Sequence, residues 1–500
     1  MDRIIQEETA NLAEHERVLA LTAQLADLQR DLDLAIQQKE EAVQKLALQL
    51  AETEKKYDSL VTRQEKVIEA ISAQLELRQS ELDKITGTLG WRWLSSYGRL
   101  KYRYLLPIYR LLHLRQPQLK NAVASEVRES SSATVTATYD VVIFPIIDWG
   151  FRFQRPQQLA SQFALDGHRV FYLRTTFHQE DSAAHAVGVA ERTFEVQFPG
   201  PAHLNVYGDE INPRLLNDLI DAMDLFRRRN GIEEAVCIVQ LPFWTPLAIA
   251  ARQRWGWKII YDCLDEHAGF TTNNARMLQH EETLVAESDL VVTTSRQLYD
   301  KLAPLSKRIL SLPNATDFEH FSQPGPLHPL SKLARPIIGY YGAISDWFDV
   351  GMVRTAAEAR PDWQFALVGD TFGADVSSLK RLANVHLHGE QPYAAIPSYL
   401  HQFDVAIIPF LLTPLTDSTN PIKFYEYLSA GKPVVAVALR ELEPYQDFFY
   451  PVRSPQEFIT QIETALREDS PEKIRARMDF ARQHTWLDRY KALSAGIGQL

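Results

Sequence analysis

Cysteine is nearly absent. Only Cys237 and Cys263 occur in 500 residues, both inside apolar runs. Such thiols fit small hydrophobes in a reducing compartment. Neither has a second Cys or a His at metal-ligand spacing, so a disulfide scaffold is excluded and no structural zinc is expected. Long apolar runs are missing too. The longest are strand-sized, so no membrane-spanning helix is expected. The first eight residues, Met1 to Glu8, are acidic and lack an apolar core, so no signal peptide is expected. No G-x-G-x-x-G, Walker A, H-E-x-x-H or G-x-S-x-G occurs, which removes direct support for a dinucleotide fold, a P-loop enzyme, a zinc protease or a serine hydrolase. Positive charge is in deficit: 53 Lys and Arg stand against 64 Asp and Glu, a formal net charge of −11. An acidic whole argues against nucleic acid as a partner. What remains, 45% apolar and 23% charged residues, is an ordinary globular mix.

Glycine and proline are wholly missing from residues 1–86. Apolar side chains recur there at steps of three and four: Val18, Leu21, Leu25, Leu28, Leu32 and Ala35, then Ala42 and Leu46, and the pattern resumes at Leu60, Gln64, Val67 and Ile71. This spacing predicts an N-terminal coiled coil, hence a homo-oligomer, in preference to one long solvated helix. Steps of four and four near Leu46 and Ile71 read as stutters, and Lys39 and Gln64 fall on the seam. Residues 87–120 reverse the charge balance, with seven Lys and Arg, no acid, and six interleaved Trp and Tyr. That composition suits an anionic membrane surface. A basic helix docked on the acidic body stays open beside it, with nucleic acid behind both. Residues 121–137 are small and polar and read as a linker, which closes an 87–137 segment.

From Tyr139 short β-branched runs alternate with helical patterns. The first series is Tyr139–Phe144, His168–Leu173, Ala235–Gln240, Lys258–Cys263 and Leu290–Thr294. The second is Pro336–Tyr341, Gln364–Val368, Val385–Leu387, Val405–Ile408 and Pro433–Val437. Strands alternating with helices mean parallel sheets with crossover helices. The predicted fold class is therefore α/β, with two Rossmann-like doubly wound domains at 138–325 and 335–470. A C-terminal helix within 471–500 packs back on the body. Ligands are expected at the carboxyl ends of the strands, in the cleft between the domains.

The segment carrying most chemistry is 417–435, DSTNPIKFYEYLSAGKPVV. Pro421 opens a helix, Gly431 closes it and Pro433 starts the next strand. Lys423 and Glu426 are three apart and share a face. The helix N-terminus offers free N–H groups and a positive dipole to a diphosphate, and Lys423 adds a point charge. Glu426 can accept from sugar or ribose hydroxyls. An exposed Lys–Glu pair of little consequence is the bland alternative.

This segment resembles the signature helix of GT-B glycosyltransferases of family 4, whose motif is Glu-x7-Glu ending E-x-x-x-x-G-x-P-V. Glu426, Gly431, Pro433 and Val434 match its second half, while Ser418 stands where the first Glu would be. Asp289–Ser295 is similar to the family's D-x-x-x-x-S strand, and Leu312–Asp317 to its PNGVD turn. Gly339–Gly342, Leu367–Asp370 and Val385–Gly389 resemble three strand ends of its donor domain. The likeness covers about residues 139–490. The family's Arg and Lys after the first donor-domain strand give way to Ser345, Asp346 and Trp347, which leaves more phosphate charge to Lys423.

The resemblance implies a metal-independent sugar transfer with no cofactor beyond a nucleotide-sugar substrate. The acceptor would be a surface polysaccharide or a lipid-linked precursor, and the protein would lie on the cytoplasmic face of the membrane. It implies donor binding by Lys423, Glu426, Asn420, Gly342 and Gly369. The loop holding Gly150, Arg152 and Arg155 would meet a pyrophosphate or an acceptor, or its arginines are simply solvated at a helix start. Asp265, past the Lys258–Cys263 run, is the first candidate for a general base and His267 the second. For Asp265, capping of the next helix is the alternative. An epimerase of the same architecture and a degenerate coiled-coil scaffold are the competing functions.

Overall fold

The computed structural model describes residues 139–500 apart from 180, 270–274 and 372. The coiled coil expected over 1–86 and the basic aromatic segment of 87–137 lie outside the described residues.

Among the described residues two sheets form. The first runs in the order β3-β4-β2-β1-β5-β6-β7-β8. Its strands are β1 (Asp140–Phe144), β2 (Val170–Leu173), β3 (His185–Ala190), β4 (Thr193–Gln197), β5 (Ala235–Val239), β6 (Lys258–Cys263), β7 (Leu290–Thr293) and β8 (Ile309–Ser311). All pairings are parallel except β3 against β4. The second sheet runs β11-β10-β9-β12-β13-β14 and is parallel throughout. It comprises β9 (Ile337–Tyr341), β10 (Gln364–Val368), β11 (Val385–Leu387), β12 (Val405–Ile408), β13 (Val434–Val437) and β14 (Tyr450–Val452). Helices on both faces bury the central strands completely, so β1, β5 and β9 read as unbroken apolar runs rather than alternating ones.

Strand order reverses between β1 and β5 in one sheet and between β9 and β12 in the other. At such switch points the loops leaving neighbouring strands diverge and open a crevice at the carboxyl ends. The loops after β1, β9 and β12 are therefore the ones to examine for a ligand.

Two stretches of chain join the halves. The first is Leu312–Asp317, between β8 and the short helix Phe318–Ser322. The second is Gln483–Thr485, which pairs back on it: Thr316 N–H donates to His484 O at 3.0 Å, and Trp486 N–H to Thr316 O at 3.3 Å. Helix Pro471–Arg482 stays with the six-stranded half, where Arg477 donates to Gly431 O at 2.9 Å. Helix Trp486–Ile497 returns to the eight-stranded half. Its Tyr490 packs edge-on against Phe163 at 4.9 Å, and Leu493 and Ile497 join the core under β1.

Arg155 is the pin of this junction. It is 1% exposed and grips Asp262 of β6 through Nε at 3.1 Å and Nη2 at 2.7 Å. Its Nη1 donates to Leu312 O at 2.9 Å and reaches Asn314 Oδ1 at 3.4 Å. Gln240 donates to the same Asp262 at 3.2 Å. A buried pair is costly to break from one side, because the surviving charge is stranded away from water. Arg155→Ala should therefore lower stability by about 3–5 kcal/mol. Arg475→Ala, which removes a solvent-exposed partner of Glu472, should cost about 0–1 kcal/mol. Denaturation midpoints of the two variants check this ordering.

Candidate functional site

Helix Ile422–Ser429 follows β12 by way of the turn Pro414–Asp417, and no side chain caps its N-terminus at Pro421. Its first turn lies against the end of β9. There Gly342 takes φ +124°, and a Cβ on it would stand 2.2 Å from Lys423 Cε. Lys423 thus lies directly on the Gly342 backbone, with its ammonium over the Tyr340 ring at 5.6 Å. Gly369, at the end of β10, takes φ +155°, and a Cβ there would meet Gly342 O at 1.9 Å. Both glycines are needed because backbone and side chain close to contact at this spot.

Glu426 is 6% exposed, one turn further on, and accepts a short hydrogen bond from Tyr341 Oη. Burial raises its carboxyl well above the ordinary range; Tyr341 and Lys423 work against that, and the Asp317 carboxylate adds to it. Burial likewise lowers Lys423, which Glu426 opposes and Arg152 reinforces. Burial thus disfavours the charged form of each member of the pair, and a ligand of opposite sign beside either one would offset that penalty.

Arg152 comes from the loop after β1 and crosses to Glu390, in the loop after β11, in a two-pronged contact of 2.7 and 3.3 Å. Near it Gln158 donates to Tyr393 Oη at 2.9 Å, and Tyr393 stacks on His320 at 4.3 Å. The structure thus brings together five of the expected residues: Lys423, Glu426, Gly342, Gly369 and Arg152. Around them stand Tyr341, Asp317, Tyr393 and Glu390, which the sequence reading did not single out as site residues. Glu390 is paired with Arg152 across 238 positions of sequence. No local spacing signals a partner so far away.

Other expected residues are placed differently. Arg155 is locked inside the fold by Asp262 and offers the cleft no solvated guanidinium, which corrects both readings given to it above. Gly150 lies in an exposed turn where a Cβ would touch nothing within 4 Å, so its backbone makes no close approach that demands glycine. Asn420 is buried and accepts from Asn314 N–H at 3.0 Å, while its carbonyl accepts from Asn314 Nδ2 at 2.7 Å. It ties the interdomain linker to the start of helix Ile422–Ser429. Ser418, at the position of the missing Glu, is fully buried with its hydroxyl on Pro414 O at 2.6 Å.

Asp265 and His267 follow β6. Asp265 is half-buried, and burial pushes its carboxyl up to about 6 against the pull of Arg155. His267 is 1% exposed, and burial holds its ring down to about 4. A ring that enclosed is a poor acceptor for a proton from an outside hydroxyl, which sets it behind Asp265. Beside them an open groove of about 450 Å³ runs between the halves, lined by Glu266, Gln297 and Lys301 on one side and Thr413, Pro414 and Leu415 on the other.

Residues 335–468 match the family model described as glycosyl transferases group 1. A Bacillus subtilis (strain 168) protein named for teichuronic acid biosynthesis, the glycosyltransferase TuaH, is 28% identical over 257 residues. That alignment spans 46% of this chain and 65% of the relative. Among solved structures, sucrose-phosphate synthase from Thermosynechococcus elongatus superposes with a TM-score of 0.56 at 16% identity, over 72% of this chain and 98% of its own. Anabaena HepE, solved with UDP and glucose, gives 0.53 at 13% identity, over 72% of this chain and all of its own. These likenesses show the fold: two Rossmann-like domains of the GT-B type.

The two glycines make different predictions. Gly342→Ala drives a methyl into a flexible lysine tail, whereas Gly369→Ala drives one into a backbone oxygen. Both carry strain of about 1–3 kcal/mol from positive φ. Lys423→Ala should recover part of the loss in the first case and none in the second. Melting temperatures of the three single and two double variants check this.

Proposed function

We propose that the protein is a glycosyltransferase that moves a sugar from a nucleotide-sugar donor to a surface-polysaccharide or lipid-linked acceptor. One observation carries the reading: the Lys423–Glu426 pair on the first turns of an uncapped helix, at the β9/β12 switch point. The family match over 335–468, the name of the B. subtilis relative and the UDP and glucose held by Anabaena HepE support it.

Transfer leaves negative charge on the departing diphosphate. The free N–H groups of the helix and Lys423 would meet it there. A diphosphate arriving beside Lys423 restores the charge that burial has weakened, so the lysine tightens as the leaving group forms. Arg152 would add a second cation by exchanging Glu390 for phosphate. Glu426 would accept from donor hydroxyls, its Tyr341 bond fixing the carboxylate. With Ser418 buried, the donor sugar must be held by groups other than the first Glu of the family motif. Asp265 is the proposed general base on the acceptor side. The homo-oligomer and anionic membrane surface proposed for residues 1–137 rest on sequence alone. Among the described residues no helix is long and apolar enough to cross a membrane.

Glu426→Gln keeps the shape and removes the charge, so it should weaken donor binding by about 1.5–3 kcal/mol. Lys423→Ala should reduce kcat more than nucleotide affinity, because its charge acts chiefly on the leaving group. Calorimetry with UDP-sugars and turnover with and without an acceptor separate the two effects. Parent-like behaviour of both variants would move the donor site elsewhere.

Asp265 gives a pH test. Burial raises its carboxyl, so the base is protonated and idle below about 6 and ionised above it. A base needed by the free enzyme makes kcat/KM rise with pH through that region. Asp265→Asn should remove this limb along with most of the activity. Direct base catalysis by Asp265 also inverts the sugar's anomeric centre. A product that retains its configuration would rule Asp265 out as that base and leave donor binding by Lys423 and Glu426 intact.

A further inference from the structure

We infer that His178, Asp181 and His185 form a binding site for one zinc-class divalent cation at the outer edge of the eight-stranded sheet. One ligand atom from each of the three lies within 4.8 Å of the others. Tetrahedral zinc with bonds of about 2.1 Å holds its ligand atoms about 3.4 Å apart, so the site closes once the more exposed His185 ring turns its lone pair toward the other two. Two imidazoles and one carboxylate are a donor set that suits zinc better than the oxygen-seeking magnesium or calcium.

The second observation is a stranded nitrogen. His178 is 8% exposed, and its Nδ1 is buried without a hydrogen-bond partner among the described residues. Its other nitrogen, Nε2, lies 2.9 Å from Ala183 O, which can only accept. In the neutral ring the hydrogen therefore sits on Nε2 and the lone pair on Nδ1, the arrangement a metal-bound histidine takes. Leaving that lone pair buried and unused is unfavourable, and a cation removes the penalty.

The frame around it is fixed. His178 N–H donates to Phe198 O at 3.1 Å, and Gly200 N–H to His178 O at 2.8 Å, which anchors the residue to the chain leaving β4. His185 opens β3, and without metal its ring stacks on His178 at 4.0 Å with planes 9° apart, a stack that binding would open because each ring ligates through a lone pair in its own plane. Ala183 N–H donates to Asp181 Oδ1 at 2.9 Å, so this one residue braces two of the three ligands through its two backbone groups. A cation here would pin the 178–185 loop to the β3–β4 hairpin and add no step to sugar transfer. It uses neither cysteine, so the argument from cysteine spacing does not reach it.

The test uses the full chain without an affinity tag, stripped with a chelator and titrated with zinc chloride alone near neutral pH. The parent should bind one equivalent that Asp181→Asn and His185→Ala each weaken at least about tenfold. Zinc should raise the melting temperature of the parent more than that of either variant, and magnesium should raise neither. Asp181 and His185 are the exposed members, so equal melting temperatures without metal would show that the variants fold. A parent that binds no zinc, or variants that bind it as tightly as the parent, would overturn the inference.

Discussion

The guanidinium of Arg155 is the constraint on which the rest of the molecule depends. It starts the first helix, yet its contacts belong to other parts of the chain: Asp262 at the end of β6, Leu312 O and Asn314 in the linker. Asn314 in turn bonds Asn420, whose side chain reaches Tyr425 Oη at 3.3 Å in helix Ile422–Ser429. Arg489, from the returning C-terminal helix, donates to Pro313 O at 2.9 Å. A polar chain therefore runs from the eight-stranded sheet through the linker to the helix that carries Lys423 and Glu426. Taking one arginine and one aspartate out of water is expensive, and alone such a pair is weak evidence for stability. Here each remaining donor is satisfied by a backbone or amide oxygen that must stand in one place. The network's contribution is geometric: it specifies where helix Ile422–Ser429 begins relative to the eight-stranded half.

Charge at the donor end follows a different rule. Glu426 is buried and Lys423 half-buried, and enclosure disfavours the charged form of each. They attract one another, but Asp317 pushes on Glu426 and Arg152 on Lys423, so neither partner wins outright. Such a pair is worth less to the resting fold than its proximity suggests. Under the proposed function it would become worth more with an anion beside the lysine and hydroxyls beside the glutamate. A donor bound there would relieve electrostatic strain in the resting protein, which would place affinity and turnover in the same few atoms.

The sequence was legible where burial was simple. Central parallel strands, covered on both faces, appear as short runs without alternation, and ten such runs correspond to strands of the two sheets. The missed strands are β3, β4, β8 and β14, and three of them have plain physical reasons. β3 carries Gly188 in a mostly exposed pattern and a register shift against β4. β8 is only three residues long. β14 holds Pro451, tolerated because the strand lies at the sheet edge and its N–H is not needed. At the site, Lys423 and Glu426 were legible because three-residue spacing on a helix is local. Tyr341, Tyr393 and Glu390 were not, because the fold alone brings them near. Arg155 was misread for the same reason: an arginine beside a proline at a helix start looks solvated until the strand that buries it is known.

Two arginines three residues apart therefore have opposite fates, and the difference explains how one loop can serve both fold and site. Arg155 is enclosed by partners that cannot leave, and breaking it from one side costs about 3–5 kcal/mol. Arg152 is 26% exposed and its partner Glu390 43%, which puts their contact among surface pairs worth about 0–1 kcal/mol. A diphosphate offers the same forked geometry as a carboxylate with more charge, so it can displace Glu390 at little expense. The fixed arginine holds the loop, and the loosely held one is free to change partners. Because Arg152 already lies close enough to depress Lys423, the exchange would also convert a repulsion between two cations into their shared grip on one anion.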